Sequence, residues 1–316
     1  MIKPYLSVII PHYNGITYLP PCFKSLLAQT YPHLEIILVD NGSTDDSLAL
    51  TRRDFPTVQI IELPHNLGYT GAINRGVVEA QGDIIVPLNN DTEVDPNWAQ
   101  AIVEQLKRYP EAGIIACKML LFDKRDTLHS AGDGMGADGI PMNRGVWQKD
   151  SGQFDADCYI FGGCGGAVAY RRSMLDDIGL FDEALFMYLE DVDLNWRAQI
   201  AGYKAVFAPK AVVYHHLSAT GGGVTASYYT GRNTLFILAK NMPSSLFHRY
   251  FWLIVRAQFK ITRDALRAWR GEAARARIQG QLAGLLGLLV WLRKRDSVQQ
   301  KRRVEDSYLE SLLSLN

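Results

Sequence analysis

Short apolar runs rich in Val, Ile and Leu alternate with stretches of helical spacing over the first part of the chain. The strand-like runs are residues 6–11, 35–40, 58–63 and 83–88, and the helix-like stretches are residues 20–29, 47–53 and 70–81. Unbroken β-branched runs are typical of strands buried on both faces of a parallel sheet. Strands that alternate with helices in units of about 25 to 30 residues predict an α/β fold with an open sheet.

The rest of the chain is less regular. It predicts helices over 98–109 and 190–202 and strands over 113–117, 204–208 and 211–214. Residues 122–154 lack periodicity and are rich in Gly and Asp, so we expect a long excursion that contributes to substrate binding. The pattern is helical from Leu235 onward. The chain is therefore divided into a sheet domain, residues 1–235, and a helical, basic, amphipathic C-terminal region, residues 236–316.

Composition limits the class of protein. The 316 residues are 47% hydrophobic and 21% charged, which allows a large folded core and excludes a disordered chain. Basic and acidic residues number 33 each, but residues 241–316 contain 14 basic and 6 acidic residues, so the tail is basic and the body acidic. A nucleic-acid binder would carry its basic surface on the folded module. The distribution instead favours a soluble head with an end that contacts a membrane, and the alternative is helix packing or a homo-oligomer interface.

The cysteines and the chain start bear on location. Cys22, Cys117, Cys158 and Cys164 are scattered without a zinc-ligand spacing, so we expect reduced thiols. The first residues lead directly into a strand and contain no export signal. The most apolar late segment, residues 282–292, is shorter than the roughly 20 residues of a spanning helix. The sequence predicts a cytoplasmic location, with the inner face of the plasma membrane as the site of any membrane contact.

Polar residues and glycine follow successive predicted strands. They are Tyr13, Asn14, Asp40, Asn66, Gly68 and Asp91. In an open α/β sheet such positions meet at the carboxyl ends of the strands, where ligands bind. Turn chemistry explains any one of these loops, because Asn, Asp and Gly dominate turns, whereas four successive loops at one edge favour a ligand site. Asp91 can bind a hard cation there, and the cation would meet the phosphates of a nucleotide.

Four segments match ordered motifs of a known family. They read Ser7-Val-Ile-Ile-Pro-His-Tyr-Asn14, Val39-Asp-Asn-Gly-Ser-Thr-Asp45, Asn66-Leu-Gly-Tyr-Thr-Gly-Ala-Ile-Asn74 and Leu88-Asn-Asn-Asp-Thr92. Residues 6–235 resemble the family 2 glycosyltransferases, and most closely their bacterial rhamnosyltransferase-like and galactofuranosyltransferase-like members. The resemblance implies the GT-A fold, with a mostly parallel central sheet flanked by helices and here a helical C-terminal extension. Asn89 departs from the family, which often has the first carboxylate of an Asp-x-Asp motif there.

The resemblance also implies an activity. It is the inverting transfer of a sugar from a nucleoside-diphosphate sugar, of the dTDP-rhamnose or UDP-hexose type, to a hydroxyl of a glycan or lipid-linked acceptor. The residues assigned to the nucleotide are Pro11, Tyr13, Asn14, Asp40, Asn66, Gly68, Asn74, Asn89, Asn90 and Arg232. A Mg²⁺ or Mn²⁺ ion on Asp91 would neutralise the leaving diphosphate without proton transfer.

A second acidic cluster opens the helix predicted from Glu190. The helix dipole favours acidic residues in a first turn, and Asp193 has the spacing of an ion pair with Arg197. Glu190 and Asp191 follow an aromatic and apolar approach, residues 186–189, which can raise a carboxyl pKa toward that of a useful general base. The pair resembles the Glu-Asp pair of the family. We assign the catalytic base to Asp191, with Glu190 as the alternative base or as a residue that orients the acceptor.

Other candidates have a structural interpretation beside the functional one. Family members have a metal-binding His after the last predicted strand, and a neutral imidazole suits Mn²⁺, so His215 is favoured narrowly over His216. His129 is more readily a solvated loop residue. Arg171 and Arg172 are as readily a solvated pair as phosphate ligands.

Two glycine-rich segments are weaker signals. Residues 161–170 resemble the segment that lines the sugar pocket in the family, but glycine also permits close backbone packing. Residues 218–223 predict a loop that closes over the diphosphate.

Two rival functions are considered. A non-catalytic nucleotide-sugar-binding scaffold on the same fold would need Asp40 and Asp91 but not Asp191. A nicotinamide-dependent dehydrogenase shares the α/β platform, but the glycine fingerprint after the first strand is missing.

Overall fold

The computed structural model describes residues 4–156, 159–216 and 222–315. The first three residues, Cys158 and most of the loop predicted over 218–223 lie outside this range. The strands are β1 (Leu6–His12), β2 (Leu34–Asp40), β3 (Gln59–Glu62), β4 (Ile84–Pro87), β5 (Thr92–Val94), β6 (Ala112–Leu121), β7 (Leu128–Ser130), β8 (Asp133–Gly136), β9 (Pro141–Asn143), β10 (Tyr159–Ile160), β11 (Val168–Arg171), β12 (Lys204–His215) and β13 (Leu313–Ser314). The α-helices are α1 (Leu19–Leu27), α2 (Ser47–Asp54), α3 (Gly68–Glu79), α4 (Trp98–Arg108), α5 (Arg172–Ile178), α6 (Glu190–Ile200), α7 (Gly223–Asn241), α8 (Ser244–Arg267), α9 (Glu272–Gln299) and α10 (Asp306–Ser311).

The central sheet has the order β10-β12-β6-β11-β4-β1-β2-β3. Strands β4, β1, β2 and β3 pair in parallel, as the alternation of strands and helices predicts. Strand β11 lies antiparallel between β4 and β6, and β12 runs parallel to β6. The sheet is therefore mixed, with its parallel half formed by the first four strands.

Both faces of the sheet are covered. Phe23 of α1 and Trp98 of α4 pack in the cluster on one side, and Ile73 of α3 and Leu194 of α6 pack in the cluster on the other. All four side chains are fully buried. Two buried faces explain why the strands read as unbroken apolar runs.

Two parts of the sheet differ from the prediction. The strands predicted over 204–208 and 211–214 form one strand, β12, because its pairing with β6 continues through an irregularity between Ala208 and Val212. The excursion over 122–154 contains β7, which extends the central sheet, and β8 and β9, which form a small sheet with β13.

The C-terminal helices begin with α7, which packs closely along α9. A Cβ atom at Gly280 of α9 would lie 2.1 Å from the carbonyl oxygen of Tyr228, so the backbones of the two helices approach closely there. The boundary predicted after residue 235 falls inside α7, and the division into two regions stays a prediction. Helix α8 joins α9 through a hydrogen bond from Thr262 Oγ1 to Gln281 Oε1, 3.0 Å long. No helix in the described part of the chain has the length and apolar character to cross a membrane.

Candidate active site

A cavity of about 510 Å³ opens at the carboxyl ends of the parallel strands. It contains most of the residues that the sequence predicts for a site. Those that line it are Pro11, Tyr13, Asn66, Gly68, Asn89, Asn90, Asp91, Glu190, Asp191 and His215. Since these residues come from loops far apart in the chain, the fold brings together what the sequence shows only as separate motifs.

Asn14 and Asp40 do not line this cavity. Their side chains instead accept hydrogen bonds from the backbone of the neighbouring loop after β2. Asn14 Oδ1 accepts a hydrogen bond of 2.9 Å from the backbone N–H of Thr44. The buried carboxylate of Asp40 accepts one of 3.1 Å from the backbone N–H of Ser43. Both side chains therefore hold the loop between β2 and α2 beside the cavity.

Asn74 and Arg232 also lie away from the cavity lining. The amide of Asn74 donates to the carbonyl oxygen of Phe181 at 2.9 Å and accepts from its N–H at 3.1 Å. The guanidinium of Arg232 donates to the carbonyl oxygens of Ala184 and Leu185 at 3.0 and 2.8 Å. Both side chains thus support the segment that leads to α6.

Asp91 and His215 meet because of strand pairing. The acidic turn continues into β5, which pairs antiparallel with the end of β12, and Thr92 lies opposite His215. The imidazole Nε2 of His215 is 3.2 Å from Oδ1 of Asp91, and both side chains are buried. His216 is turned the other way, with its ring stacked on Phe122 at a centroid distance of 3.6 Å. A carboxylate oxygen and an imidazole nitrogen therefore lie together in the cavity wall.

His129 is the neighbour of His215 on its other side. The Nδ1 atoms of the two rings are 3.1 Å apart, and the rings stack with centroids 4.8 Å apart. Burial, together with His215, lowers the pKa of His129 to about 4, so His129 is neutral at neutral pH. Strand β7 carries His129 to this position by pairing with β6.

His12 supports the same turn from the opposite side. Its Nδ1 is 2.7 Å from the amide nitrogen of Asn90, and its Nε2 is 2.8 Å from the hydroxyl of Ser47. Because the amide nitrogen can only donate, Nδ1 accepts and Nε2 donates to Ser47. Burial lowers the pKa of His12, which favours this neutral form.

Glu190 and Asp191 face the cavity at the N-terminus of α6. The carboxylate of Asp191 accepts hydrogen bonds from the backbone N–H groups of Gly165 at 2.6 Å and Val192 at 2.8 Å, which fix its orientation. Burial raises the pKa of Asp191. Burial and the charge of Asp191 raise the pKa of Glu190 to about 8, and Glu190 Oε2 has no hydrogen-bond partner in the described ranges. The pair can therefore hold one proton and one negative charge at neutral pH.

Asp193, one turn further along α6, has different surroundings. It is fully buried and forms ion pairs of 2.9 Å with Arg197 and with Lys240. Burial acts to raise its pKa, but Lys240 and Arg197 outweigh it and lower the pKa to about 2. The predicted pair between Asp193 and Arg197 is confirmed, and Asp193 is a structural anion.

The segment before α6 has an unusual backbone. Phe186, Tyr188 and Leu189 have φ values of 66°, 64° and 66°, which non-glycine residues rarely adopt. The amide of Asn233, on α7, donates to the carbonyl oxygens of Leu185, Met187 and Tyr188 at 3.2, 3.0 and 2.7 Å. One buried side chain thus stabilises the conformation that presents Glu190 and Asp191.

Several residues of the cavity lining are missing from the sequence-based assignment, and three of them are His12, His129 and Asp133. His12 lies within a motif that assigns it no role, and His129 is predicted to be a solvated loop residue. Asp133 lies in the aperiodic stretch over residues 122–154. Only His12 carries a sequence signal, its position at the end of a strand in a recognised motif. His129 and Asp133 reach the site through short strands that have no detectable period.

Comparisons with known proteins identify the family to which the chain belongs. Residues 7–179 match the model of the family described as Glycosyl transferase family 2. The chain is 30% identical over 236 residues to the O-antigen biosynthesis protein RfbC of Myxococcus xanthus. That match covers 69% of this chain and 18% of the RfbC protein. The chain is 29% identical over 262 residues to the N-acetylglucosaminyl-diphospho-decaprenol L-rhamnosyltransferase of Mycobacterium tuberculosis. This second match covers 74% of the chain and 84% of that enzyme.

The structural comparison concerns the fold. The crystal structure of GalNAc-T7 with UDP, GalNAc and Mn²⁺ superposes with a TM-score of 0.62 at 18% identity, over 75% of this chain and 48% of that one. The predicted GT-A fold is thereby confirmed. Since the family model spans more than half of the sequence and a rhamnosyltransferase is among the relatives, the chain belongs to glycosyl transferase family 2, with a resemblance to its rhamnosyltransferases.

Proposed function

We propose that the protein is an inverting, metal-dependent glycosyltransferase that moves a sugar from a nucleoside diphosphate to a hydroxyl of a cell-surface glycan or lipid-linked intermediate. The observation that carries the proposal is the position of two carboxylates in one cavity. Asp91 lies beside His215, and Asp191 is held by two backbone N–H groups at the start of α6. The first pair suits a diphosphate with its cation, and Asp191 suits an acceptor hydroxyl.

The donor atoms of Asp91 and His215 fit a shared divalent ion. Carboxylate oxygen is a ligand that Mg²⁺ and Mn²⁺ prefer, and a neutral imidazole nitrogen suits Mn²⁺. Asp91 Oδ1 and His215 Nε2 are 3.2 Å apart and would be able to meet one ion. In the described ranges, no group of three or more His, Cys, Asp or Glu side chains is arranged to bind a metal. We infer that Asp91 and His215 would hold Mg²⁺ or Mn²⁺ together with phosphate oxygens of the donor, and that the ion would neutralise the departing diphosphate.

The neighbouring side chains then have defined tasks. Asp191 accepts the proton of the acceptor hydroxyl while the hydroxyl oxygen attacks the anomeric carbon, and the bond from that carbon to the diphosphate oxygen breaks. A single displacement inverts the configuration at this carbon. Pro11, Tyr13, Asn66 and Gly68 line the end of the cavity that we assign to the nucleotide.

The relatives suggest the substrate class. One is named as an L-rhamnosyltransferase acting on N-acetylglucosaminyl-diphospho-decaprenol and the other as an O-antigen biosynthesis protein. We propose a dTDP-rhamnose or UDP-hexose type of donor and an acceptor on a polyisoprenyl diphosphate or a surface polysaccharide.

We also propose that α8 and α9 contact an anionic membrane. Large apolar side chains on both helices are exposed at helical spacing, and we call them the hairpin surface: Trp252, Val255, Phe259, Leu266, Leu282, Leu285, Leu286 and Leu289. Trp252 is 78% exposed and Leu286 is 87% exposed. Many large exposed apolar residues on two helices that contact each other indicate an interaction surface.

Charge favours a bilayer over a second copy of the chain. Arg256, Lys260 and Arg263 are exposed beside the apolar residues of α8. Anionic lipid headgroups would pair with these side chains while the apolar residues enter the acyl boundary. A two-fold contact between two copies would instead bring like patches together, and with them like charges.

A single experiment tests the catalytic proposal. The purified protein is incubated with UDP-, dTDP- and GDP-sugars, acceptor glycolipid and Mn²⁺, and the anomeric configuration of the product is read by NMR. We expect inversion. We expect Asp191→Asn to lower turnover by about 10²- to 10⁴-fold, because a general base contributes an effect of that size, while nucleotide affinity is retained.

The control is Asp176→Asn, which changes an exposed carboxylate of α5 and should leave turnover unchanged. Retention of configuration, or full activity of Asp191→Asn, contradicts the mechanism. A wild-type protein that binds donor sugars but never transfers them would instead favour the non-catalytic scaffold.

A further inference from the structure

Asp133 is a buried acid in the cavity wall that the proposed mechanism does not use. It opens β8, where its N–H donates to the carbonyl oxygen of Gly162 at 2.8 Å. Its side chain is 4% exposed, and its Oδ1 has no hydrogen-bond partner within residues 4–156, 159–216 and 222–315. The backbone of Asp133 therefore has a structural role, whereas Oδ1 of its carboxyl group is buried without a hydrogen bond to any described residue.

The carboxyl group lines the same cavity as Glu190 and is close enough to feel its charge. Glu190 Oε2 is a second buried oxygen without a partner among the described residues. A buried polar atom that lacks a hydrogen bond costs roughly 1–3 kcal/mol, so two such atoms in one cavity indicate a ligand that brings donors. Burial, with the nearby charges of Asp191 and Glu190, raises the pKa of Asp133. A carboxyl group that holds its proton can both donate to and accept from a ligand.

The rest of this wall suits a sugar ring. Pro141, Met142 and Leu189 present apolar surface, and Asn143 adds an amide on β9. A sugar ring has the matching chemistry, with C–H groups on its faces and hydroxyl groups around its edge.

We propose that Asp133 forms a subsite that binds a hydroxyl group of a sugar ring and so contributes to sugar selectivity. The proposal rests on the proposed glycosyltransferase function. The ring belongs either to the donor sugar or to the acceptor sugar, since both lie next to Asp191 during transfer. Both offer the same hydroxyl chemistry, and binding measurements distinguish them.

The test compares wild type with Asp133→Ala and Asp133→Asn in three measurements. The first is the Kd for UDP, dTDP or GDP with Mn²⁺. The second is the Kd for the nucleotide sugar that the wild type uses. The third is the KM for the acceptor. We expect Asp133→Ala to leave the first within about twofold and to weaken either the second or the third about tenfold, which corresponds to the loss of one or two hydrogen bonds.

A weaker Kd for the nucleotide sugar assigns the ring to the donor, and a higher acceptor KM assigns it to the acceptor. The matched control is Asp138→Asn, in the turn between β8 and β9 and away from the cavity lining, which should change none of the three. Asp133→Asn keeps the volume of the side chain, so it provides a folded protein if Asp133→Ala has a lowered Tm.

Two outcomes overturn the proposal. Unchanged values for nucleotide sugar and acceptor in both variants show that the carboxyl group does not meet a sugar. A variant that loses as much affinity for the free nucleoside diphosphate as for the nucleotide sugar shows a general structural effect. A wild-type protein without affinity for any nucleotide sugar would overturn the proposed function itself, and this subsite with it.

Discussion

Glu190, Asp191 and Asp193 lie within one turn of α6 and differ in the charges around them. Two buried cations keep Asp193 ionised, whereas no cation pairs with Glu190 or Asp191 in the described ranges. Carboxyl groups of the same kind therefore divide into a structural anion and a pair that can exchange protons with a substrate.

Glu190 gives a stability prediction that needs no substrate. The acidic groups around it are Asp191 and Asp193 on α6, Asp133 on β8 and the phenol of Tyr69 on α3. Its pKa is raised from 4.5 to about 8, so the folded protein keeps a proton that the unfolded chain releases. Unfolding then releases a proton in this range, and rising pH favours the unfolded state.

We expect the Tm of Glu190→Gln to rise relative to wild type as the pH increases from 4.5 to about 8, and the difference to level off above that. Glutamine cannot ionise and avoids the cost of a buried charge. Thermal unfolding measured over this pH range checks the expectation. The exposed Glu79→Gln is the control, and a difference in Tm that is independent of pH would contradict a raised pKa for Glu190.

The sequence indicates that a residue lines the cavity where a motif surrounds it. Asp91, Glu190 and Asp191 are recognisable in this way because each follows a strand end or starts a helix. Asp133 and His129 are not, since their place in the cavity depends on short strands that pair with distant partners. The sequence around a single polar residue in an aperiodic stretch does not indicate which cavity the residue lines.

At the scale of elements, α7 and the segment before α6 act as one unit. Asn233 holds three carbonyl oxygens of that segment, and Arg232 Nε donates to Asn233 Oδ1 at 2.9 Å, which fixes the orientation of the amide. The ring of Tyr229 stacks on Phe186 with a centroid distance of 5.4 Å. We infer that α7 positions Glu190 and Asp191, in which we propose the general base, without itself contacting the substrate.

We expect Asn233→Ala to lower kcat by about tenfold to a hundredfold, because small displacements of a catalytic group have effects of that size. The Kd for the nucleoside diphosphate should stay near that of wild type, because the nucleotide end of the cavity is formed by other loops. Steady-state kinetics and nucleotide titration separate the two quantities.

The control for this change is Thr234→Ala on the same helix. Among the described residues, the Thr234 hydroxyl donates to the carbonyl oxygen of Thr230, within α7, at 2.7 Å. If Asn233→Ala and Thr234→Ala lower kcat equally, or if Asn233→Ala lowers only the Tm, the inferred role of Asn233 is wrong.

The sequence predicts helices and strands correctly in periodic segments. It does not predict which neighbour each side chain contacts. The first four strands and the helices between them follow from apolar runs alone. The direction of Arg232 does not, because the periodicity of α7 cannot tell whether its guanidinium reaches a phosphate or the carbonyl oxygens of a neighbouring segment. The position of a segment with positive φ values at Phe186, Tyr188 and Leu189 is equally invisible, since none of them is glycine.

At the scale of the whole molecule, acidic residues predominate in the first 240 residues and basic residues in residues 241–316. The cavity is lined by residues between Pro11 and Ala226, whereas the hairpin surface belongs to α8 and α9. If α8 and α9 contact a membrane as we propose, the protein is held at the surface where the proposed lipid-linked acceptor lies.

We expect the protein to sediment with vesicles rich in phosphatidylglycerol and much less with phosphatidylcholine vesicles, because the basic side chains need anionic headgroups. The bound fraction should fall as salt increases. The double variant Phe259→Ser and Leu286→Ser should bind less, since it removes apolar area from both helices of the hairpin surface.

The matched control is Trp147→Ser, which removes an exposed aromatic ring outside the hairpin surface. Binding that is unaffected by the double variant would contradict the membrane proposal. A doubled mass in solution that the double variant abolishes would assign the surface to a second copy of the chain.

The fold class was predictable at this scale because motif order and strand alternation both point to it. The mixed character of the sheet was not, because β11 and β6 come from regions where neither period nor motif gives strand direction.

Helix α7 limits how the chain can be shortened. A protease or a deletion that removed everything after residue 235 would end the helix two positions beyond Asn233. The last turn of a helix frays, and the packing partner α9 would be gone as well. A fragment that retains every residue of the cavity would thus lose the support that α7 gives to the segment before Glu190 and Asp191, so the C-terminal helices stabilise the cavity from within the fold.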